Sequence, residues 1–271
     1  MPNSSSQGRN VWKKRIDRAA ELAERRPWAK EVLDFYSRIL EFQQEIYELG
    51  RVTLRATPTD DAGLRQALDL DEAARSFPDL LLVVTRHAPP RLANEASGLE
   101  GTSAAHIRRM LEQWLAAVDP PDDGSSFFAR VLLQPQAERL AQAAGIPPRQ
   151  VVGNKCPCCH SDPQLAVIRP EGDGGKRLLL CSLCQSEWEF RRILCPACGE
   201  EHHEKLPRYS AEGISAVRVE ACEVCKSYLK SVDMTVDGLA VPAVDEIATA
   251  PLDLWAAEQG YRKIQLNLMG F

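Results

Sequence analysis

Nine cysteines fall between residues 156 and 225, and none lies outside that stretch. Eight of them form four C-x-x-C pairs: Cys156/Cys159, Cys181/Cys184, Cys195/Cys198 and Cys222/Cys225. Two thiolates three positions apart can grip one ion when the backbone between them turns tightly. Two such knuckles complete a tetrahedron of sulfur around a single metal, with metal–sulfur distances of roughly 2.3 Å. The pairs repeat in tandem. Cys156-Pro157-Cys158-Cys159 answers to Cys195-Pro196-Ala197-Cys198, and the spacers to the next pair are 21 and 23 residues. The same unit written twice predicts that each copy holds its own ion, so Cys156, Cys159, Cys181 and Cys184 form one site and Cys195, Cys198, Cys222 and Cys225 the other. Interleaved, cross-braced pairing is the competing arrangement.

Cys158 is the odd cysteine. It stands where Ala197 stands in the second unit and is left out of the ligand set. His160 and Gln185 occupy the position held by Gly199 in the third pair, where a positive φ is wanted. Both are read as tolerated strain, not as ligands. Disulfides fit poorly, because one thiol is left over and no export signal is evident. A thioredoxin-like redox pair needs one C-x-x-C opening a helix, and an iron–sulfur cluster suits the two-plus-two repeat less well than single ions. Zinc and iron both accept four thiolates, so ligand count does not separate them.

Hairpins are expected to present these knuckles. Leu165–Ile168 and Arg177–Leu180 flank Glu171-Gly172-Asp173-Gly174-Gly175, which is turn chemistry, and Ile214–Glu220 alternates like a strand after Gly213. Tyr228–Thr235 reads as a further strand ending at Asp237-Gly238, and Ala243–Gln259 as a last helix capped by Gly260. The chain before residue 150 reads as helical. Residues 1–10 are polar and expected to be without structure, and a helical pattern from Val11 breaks at Pro27. A longer helix to about Glu48 carries Trp28, Val32, Phe35, Tyr36, Ile39, Phe42 and Ile46 on its apolar face. Gly50–Gly63 is expected to be a loop, Leu64–Arg75 a short amphipathic piece, and Leu80–Val84 a helical segment buried all round. Pro89-Pro90 opens the next helix. Ala104–Val118 is another helix, and Pro120–Gly124 a turn. Ser125-Ser126 caps a helix over 127–144 that Pro135 should kink. Gly145–Pro148 reads as a linker. His87 and His106 sit singly in helices, and His202 and His203 in a charged loop, none of them as a metal ligand.

The fold class that follows is α+β: an all-α domain over 11–150, then tandem zinc-ribbon-like β-hairpin modules over 151–192 and 193–271, the second ending in a helix. Serine at Cys181 or Cys222 is expected to unfold the ribbon locally and to spare the helical half. With 271 residues, 44% hydrophobic and 26% charged, the composition is that of a soluble globular protein. The net charge is −5, with 20 basic and 21 acidic residues up to residue 150 and 13 and 17 after it. Divalent metal on four thiolates makes the second half more negative still. A nucleic-acid-binding ribbon presents a basic face, so no nucleic-acid partner is expected. No apolar run approaches a membrane span, and Met1–Asn10 lacks a signal-peptide core, which points to a reducing cytoplasm. No G-x-x-x-x-G-K-[ST] or G-x-G-x-x-G motif occurs, and sites filled by four sulfurs have no vacancy for catalysis.

Further residues carry a resemblance. Cys181-Ser182-Leu183-Cys184 followed by Glu187-Trp188, then Arg192 and Cys195-Pro196-Ala197-Cys198-Gly199, resemble the formate dehydrogenase accessory protein (FdhE) family. Phe127–Arg130, Gln134-Pro135, Cys225–Lys230 and Pro242–Thr249 with Leu252-Asp253 are similar to it as well. The order of the motifs matches over nearly the whole chain. The family often has Gly where His160 and Gln185 stand, and Asp where Glu246 stands. The resemblance implies a non-catalytic cytoplasmic factor needed for maturation of formate dehydrogenase and contacting its catalytic subunit. It also implies rubredoxin-like knuckles and favours iron over zinc. The alternatives are a rubredoxin-like electron-transfer protein and, less favoured, a zinc-ribbon nucleic-acid adaptor.

Overall fold

A computed structural model describes residues 4–50, 63–117, 124–144 and 153–271. The helical body comprises α1 (Ser4–Arg25), α2 (Lys30–Leu49), α3 (Gly63–Gln66), α4 (Leu70–His87), α5 (Pro90–Ser97), α6 (Ala104–Ala116) and α7 (Gly124–Ala144). The sheet strands are β1 (Pro163–Glu171), β2 (Gly174–Cys181), β3 (Glu187–Glu189), β4 (Arg208–Ala211), β5 (Ile214–Ala221), β6 (Ser227–Asp233) and β7 (Arg262–Lys263). Two short helices, α8 (Pro242–Ile247) and α9 (Ala250–Glu258), lie between β6 and β7. No described helix is long and apolar enough to cross a membrane.

α7 is the centre of the body. Its side chains from Phe128 to Ala141 are all buried, polar ones included. Pro135 has no N–H to give the carbonyl of Val131, and the Gln43 side-chain amide donates to that oxygen instead, at 3.1 Å. Glu138, also buried, takes a bidentate ion pair from Arg15 of α1 at 2.8 and 3.0 Å. Asp69 caps α4 by accepting from the Glu72 N–H at 2.8 Å, and the Gln136 amide of α7 pairs with the Asp69 backbone in both directions.

Several expectations are corrected here. α1 begins at Ser4 and not at Val11; once a turn has formed, each further residue adds a hydrogen bond at little cost, so a polar segment can extend an existing helix. Trp28 leaves the apolar face of α2: it is 57% exposed in the short 3-10 turn before that helix, its indole N–H donating to the Ala248 carbonyl at 3.4 Å. The expected Leu64–Arg75 piece is split between α3 and α4, and its second part is continuous with Leu80–Val84, because α4 runs through Pro78. Nor is that apolar run buried all round, since Leu82 is 60% exposed. The last helix is two: Pro251 has no N–H to give the Ile247 carbonyl, and the turn breaks at Ala248-Thr249. The loop expected at 50–63, the turn at 120–124 and the linker at 145–148 fall wholly or mostly outside the described residues.

The strands form one sheet in the order β3-β2-β1-β6-β5-β4, with β7 pairing β6. Each cysteine unit contributes an antiparallel trio, β3-β2-β1 from the first and β6-β5-β4 from the second. The trios join through a parallel β1–β6 pairing that sets Leu165 beside Lys230 and Ile168 beside Asp233. The tandem repeat in sequence is thus a side-by-side repeat in space. One sheet face packs Leu165, Val167, Val219 and Val232 against Leu252 and Ala256 of α9. A separate core runs without interruption from Trp12, Phe77 and Phe128 of the helices to Cys159, Cys181, Leu183 and Trp188 of the first cysteine unit.

Candidate metal centres

Each C-x-x-C pair sits in the same local turn. The cysteine that opens a knuckle donates its N–H to the carbonyl five residues on: Cys156 to Ser161, Cys181 to Ser186, Cys195 to Glu200 and Cys222 to Ser227, at 2.9–3.0 Å. Closing that turn requires a positive φ at the residue after the second cysteine. The observed values are 59° at His160, 56° at Gln185, 79° at Gly199 and 55° at Lys226. The strain expected at His160 and Gln185 is therefore present, and Lys226 shares it. Gln185 recovers part of its cost by donating its side-chain amide to the Cys181 carbonyl at 2.9 Å.

The eight sulfurs gather in sequential sets, Cys156/Cys159/Cys181/Cys184 and Cys195/Cys198/Cys222/Cys225, each with its ligand atoms within 4.8 Å of one another. Cross-braced pairing is excluded. Across the first set, Cys156–Cys184 and Cys159–Cys181 are 3.5 and 3.3 Å apart; across the second, Cys195–Cys225 and Cys198–Cys222 are both 3.7 Å. A regular tetrahedron with metal–sulfur bonds of roughly 2.3 Å has edges of about 3.8 Å. The second set has nearly that size and the first is slightly contracted, so both donor sets fit a single tetrahedral ion. Cys158 is buried beside the first set but belongs to neither. His202 and His203 are exposed and lie in neither set.

Donors around the sulfurs favour the thiolate form. Backbone N–H groups of Cys158, Leu183 and Cys184 point at Cys156 and Cys181 at 3.3–3.4 Å, and that of Ala197 at Cys195 at 3.4 Å. The Ser161 and Ser186 hydroxyls lie 3.4 and 3.3 Å from Cys159 and Cys184. Burial pushes the Cys225 thiol up, but hydrogen bonds from the Ser227 hydroxyl and N–H outweigh it and bring the group down to about 7. Burial raises Cys195 and Cys198. Four adjacent thiols cannot all ionise without a cation among them, and a divalent ion supplies that charge. The serine two residues beyond the second cysteine recurs as Ser161, Ser186 and Ser227. It was legible as C-x-x-C-x-S in three of the four knuckles and passed unread beside the cysteines.

Two arginines tie the helical body to the first centre: Arg130 falls in the Phe127–Arg130 stretch that carries the resemblance, whereas nothing in the sequence marks Arg65 for this role. Arg65 of α3 donates to the Cys159 carbonyl at 2.7 Å, the Ser161 hydroxyl at 3.0 Å and the Leu115 carbonyl at the end of α6 at 2.9 Å. Arg130 of α7, 5% exposed, reaches the Leu266 carbonyl at 2.7 Å, Gln164 at 3.2 Å and the Ser182 carbonyl at 3.3 Å. On the far side of the sheet, Lys230 and Lys263 are buried among Glu246, Asp253 and Asn267, with Tyr228 donating to Asp253 at 2.9 Å. The lysines and Asn267 together hold the Glu246 carboxyl below the usual carboxylate range, against the desolvation that would raise it. This cluster pins α8 and α9 to β6, and Arg18 of α1 ties the body to α8 separately, through Asp245 at 2.6 Å.

Fold and site define a class: a helical body built onto a double sheet unit that carries two four-sulfur centres. Residues 155–192 match the family model described as "FdhE, central domain", and residues 179–269 the one described as "FdhE, C-terminal domain". A protein FdhE homolog of Aquifex aeolicus is 29% identical over 269 residues, covering 94% of both chains. One of Haemophilus influenzae is 28% identical over 279 residues, covering 96% of this chain and 88% of its own. The crystal structure of the FdhE protein from Pseudomonas aeruginosa superposes with a TM-score of 0.69 at 25% identity, over 96% of each chain. The family models, the two relatives and the solved structure all point to the FdhE family.

Proposed function

We propose that this protein is a cytoplasmic accessory factor for the maturation of formate dehydrogenase, that it binds the catalytic subunit of that enzyme, and that each four-cysteine centre holds one iron or zinc ion. The observation that carries the reading is the closed sulfur sets. Four cysteines fill a tetrahedron and leave no position at which a substrate could meet the metal, so the centres shape a docking module and no catalytic step is assigned. The matches to the FdhE family and the resemblance of the motifs to formate dehydrogenase accessory proteins supply the client. The residues that hold the ions are the eight knuckle cysteines, with N–H and hydroxyl donors compensating the sulfur charge. The test is capture of the formate dehydrogenase catalytic subunit by the tagged chain, alongside enzyme activity in a strain lacking it. Capture together with loss of activity is expected; no capture together with normal activity overturns the proposal.

One observation favours a second reading, a rubredoxin-like electron carrier. Cys198 is exposed and Cys225 half-buried, which brings an ion in the second centre close to the surface. That reading requires a red protein with thiolate-to-iron absorption and a reversible one-electron couple when purified without air. A colourless protein with two zinc ions removes it.

A further inference from the structure

The second centre lies on the wall of a long groove. One lobe, of about 970 Å³, runs between the helical body and the sheet past Arg65, Trp114 and Arg262. Another, of about 810 Å³, runs past Phe190, Arg192 and Leu194. Asn154, Pro196 and Ala197 line both, so the lobes meet at the third knuckle, beside Cys195 and Cys198.

The charge lining this groove departs sharply from that of the chain. The protein has 33 basic and 38 acidic residues, yet nine cationic side chains and only two carboxylates, Asp162 and Glu189, line the two lobes. Among the described residues, Lys155 pairs with Asp162 and Arg177 with Glu220, both at 2.7 Å, and Lys176, Arg191 and Lys263 also have carboxylate partners. Among the described residues no carboxylate pairs with Arg65, Arg192 or Arg262. Arg65 is held by carbonyl and hydroxyl oxygens, Arg192 donates to the Gly175 carbonyl, and Arg262 is exposed. A loaded second centre carries about two negative charges, and these three arginines line the groove beside it with no described carboxylate of their own.

We infer that this groove binds an extended, acidic segment of a partner polypeptide across the third knuckle, carboxylates on Arg192 and Arg262 and apolar side chains against the half-buried Leu194 and the exposed Ala197. Guanidinium groups with no internal counter-charge are preorganised for carboxylates, which they bind by paired, charge-assisted hydrogen bonds. Each lobe alone is as large as a small-molecule cleft, and two joined lobes exceed what a single inorganic anion fills. A nucleic acid fits less well, because Arg192 in one lobe and Arg65 and Arg262 in the other do not make the continuous basic row that a phosphate backbone needs. The identity of the polypeptide rests on the docking reading above; the chemistry of the groove does not.

The test is fluorescence anisotropy on the metal-loaded full chain. The probes are a labelled twelve-residue peptide alternating glutamate with leucine and phenylalanine, the same peptide with lysine for glutamate, and a single-stranded oligonucleotide of equal length. The acidic peptide is expected to bind, and to weaken at least tenfold as salt rises from about 50 to about 500 mM. Arg192→Glu and Arg262→Glu should each weaken it about tenfold at unchanged metal content, while Arg91→Glu, on the exposed side of α5, leaves it unchanged. The inference is overturned if the acidic peptide shows no binding up to about 1 mM, if the lysine peptide or the oligonucleotide binds as well, or if both groove variants bind like the parent chain. The assay contains no client, so its failure sinks the groove alone. Failed client capture by a chain that still binds the peptide sinks the docking reading alone.

Discussion

The two cysteine centres are copies in sequence and differ in setting. In the first, all four ligands are buried, at 1% exposure or less, inside the core that also holds Trp12, Phe77 and Phe128 of the helices. In the second, Cys198 is exposed, Cys225 is half-buried, and Val224 and Ile193 beside them are about half exposed. The local turn is the same four times over, so the knuckle does not set this difference. Position in the sheet and against the body does: Arg65 and Arg130 strap helices to the carbonyls of the first centre. A duplicated unit can thus supply one centre that is part of the core and another that faces a partner.

The largest expected difference is between Cys181→Ser and Cys222→Ser. A structural zinc ion in an isolated zinc-finger peptide is worth on the order of 10 kcal/mol. Cys181→Ser should lose one metal equivalent and also lower the midpoint of the helical melt, followed by circular dichroism at 222 nm, because its sulfur shares the helices' core. Cys222→Ser should lose one equivalent and leave that melt nearly in place. Equal melts for the two variants would break the comparison, and an unshifted melt for Cys181→Ser would restore the expectation that the helical half is independent of both centres.

Metal release should sharpen it next. With a chelator in excess at neutral pH, one equivalent should leave about tenfold faster than the other, since an exposed site opens without disturbing the core. Repeating the assay with Cys222→Ser should leave only the slow phase. A single phase for both equivalents would show that burial does not govern access.

Arg65→Ala is a smaller perturbation aimed at the first centre alone. It strands the carbonyls of Cys159 and Leu115, at a cost of about 1–3 kcal/mol. The expected outcome is faster release of the slow equivalent, with the fast phase unchanged. The smallest effect is expected from Gly199→Ala in the second centre. Its added Cβ would meet nothing within 4 Å, so the cost is that of a positive φ alone, about 1 kcal/mol. Calorimetry should show a slight loss at the second centre and none in the helical transition.

Much of the site was legible before any coordinates. Spacing alone assigned the eight sulfurs, paired them sequentially, set Cys158 aside and located the hairpins, because a C-x-x-C knuckle and a tight turn are encoded within a few residues. The φ values at His160 and Gln185 followed from comparison with Gly199; the one at Lys226 was equally visible and was missed. The split of the last helix was also available, since Pro251 stands in the sequence. Trp28 was misplaced because periodicity assigns a face without knowing where the helix starts, and the turn at Pro27 starts the count afresh.

Local chemistry therefore determined what this chain holds: four turns, two sulfur tetrahedra and helices with an apolar face, each specified by residues near one another in sequence. Tertiary structure decided how the two centres differ. The β1–β6 pairing joins strands some sixty residues apart through backbone groups that every residue carries. The burial of Lys230 becomes tolerable only once Glu246 and Asp253 arrive, and Arg65 finds its acceptors only when the knuckle is beside it. Such contacts leave no periodic trace, because each partner is ordinary until the fold removes the water between them.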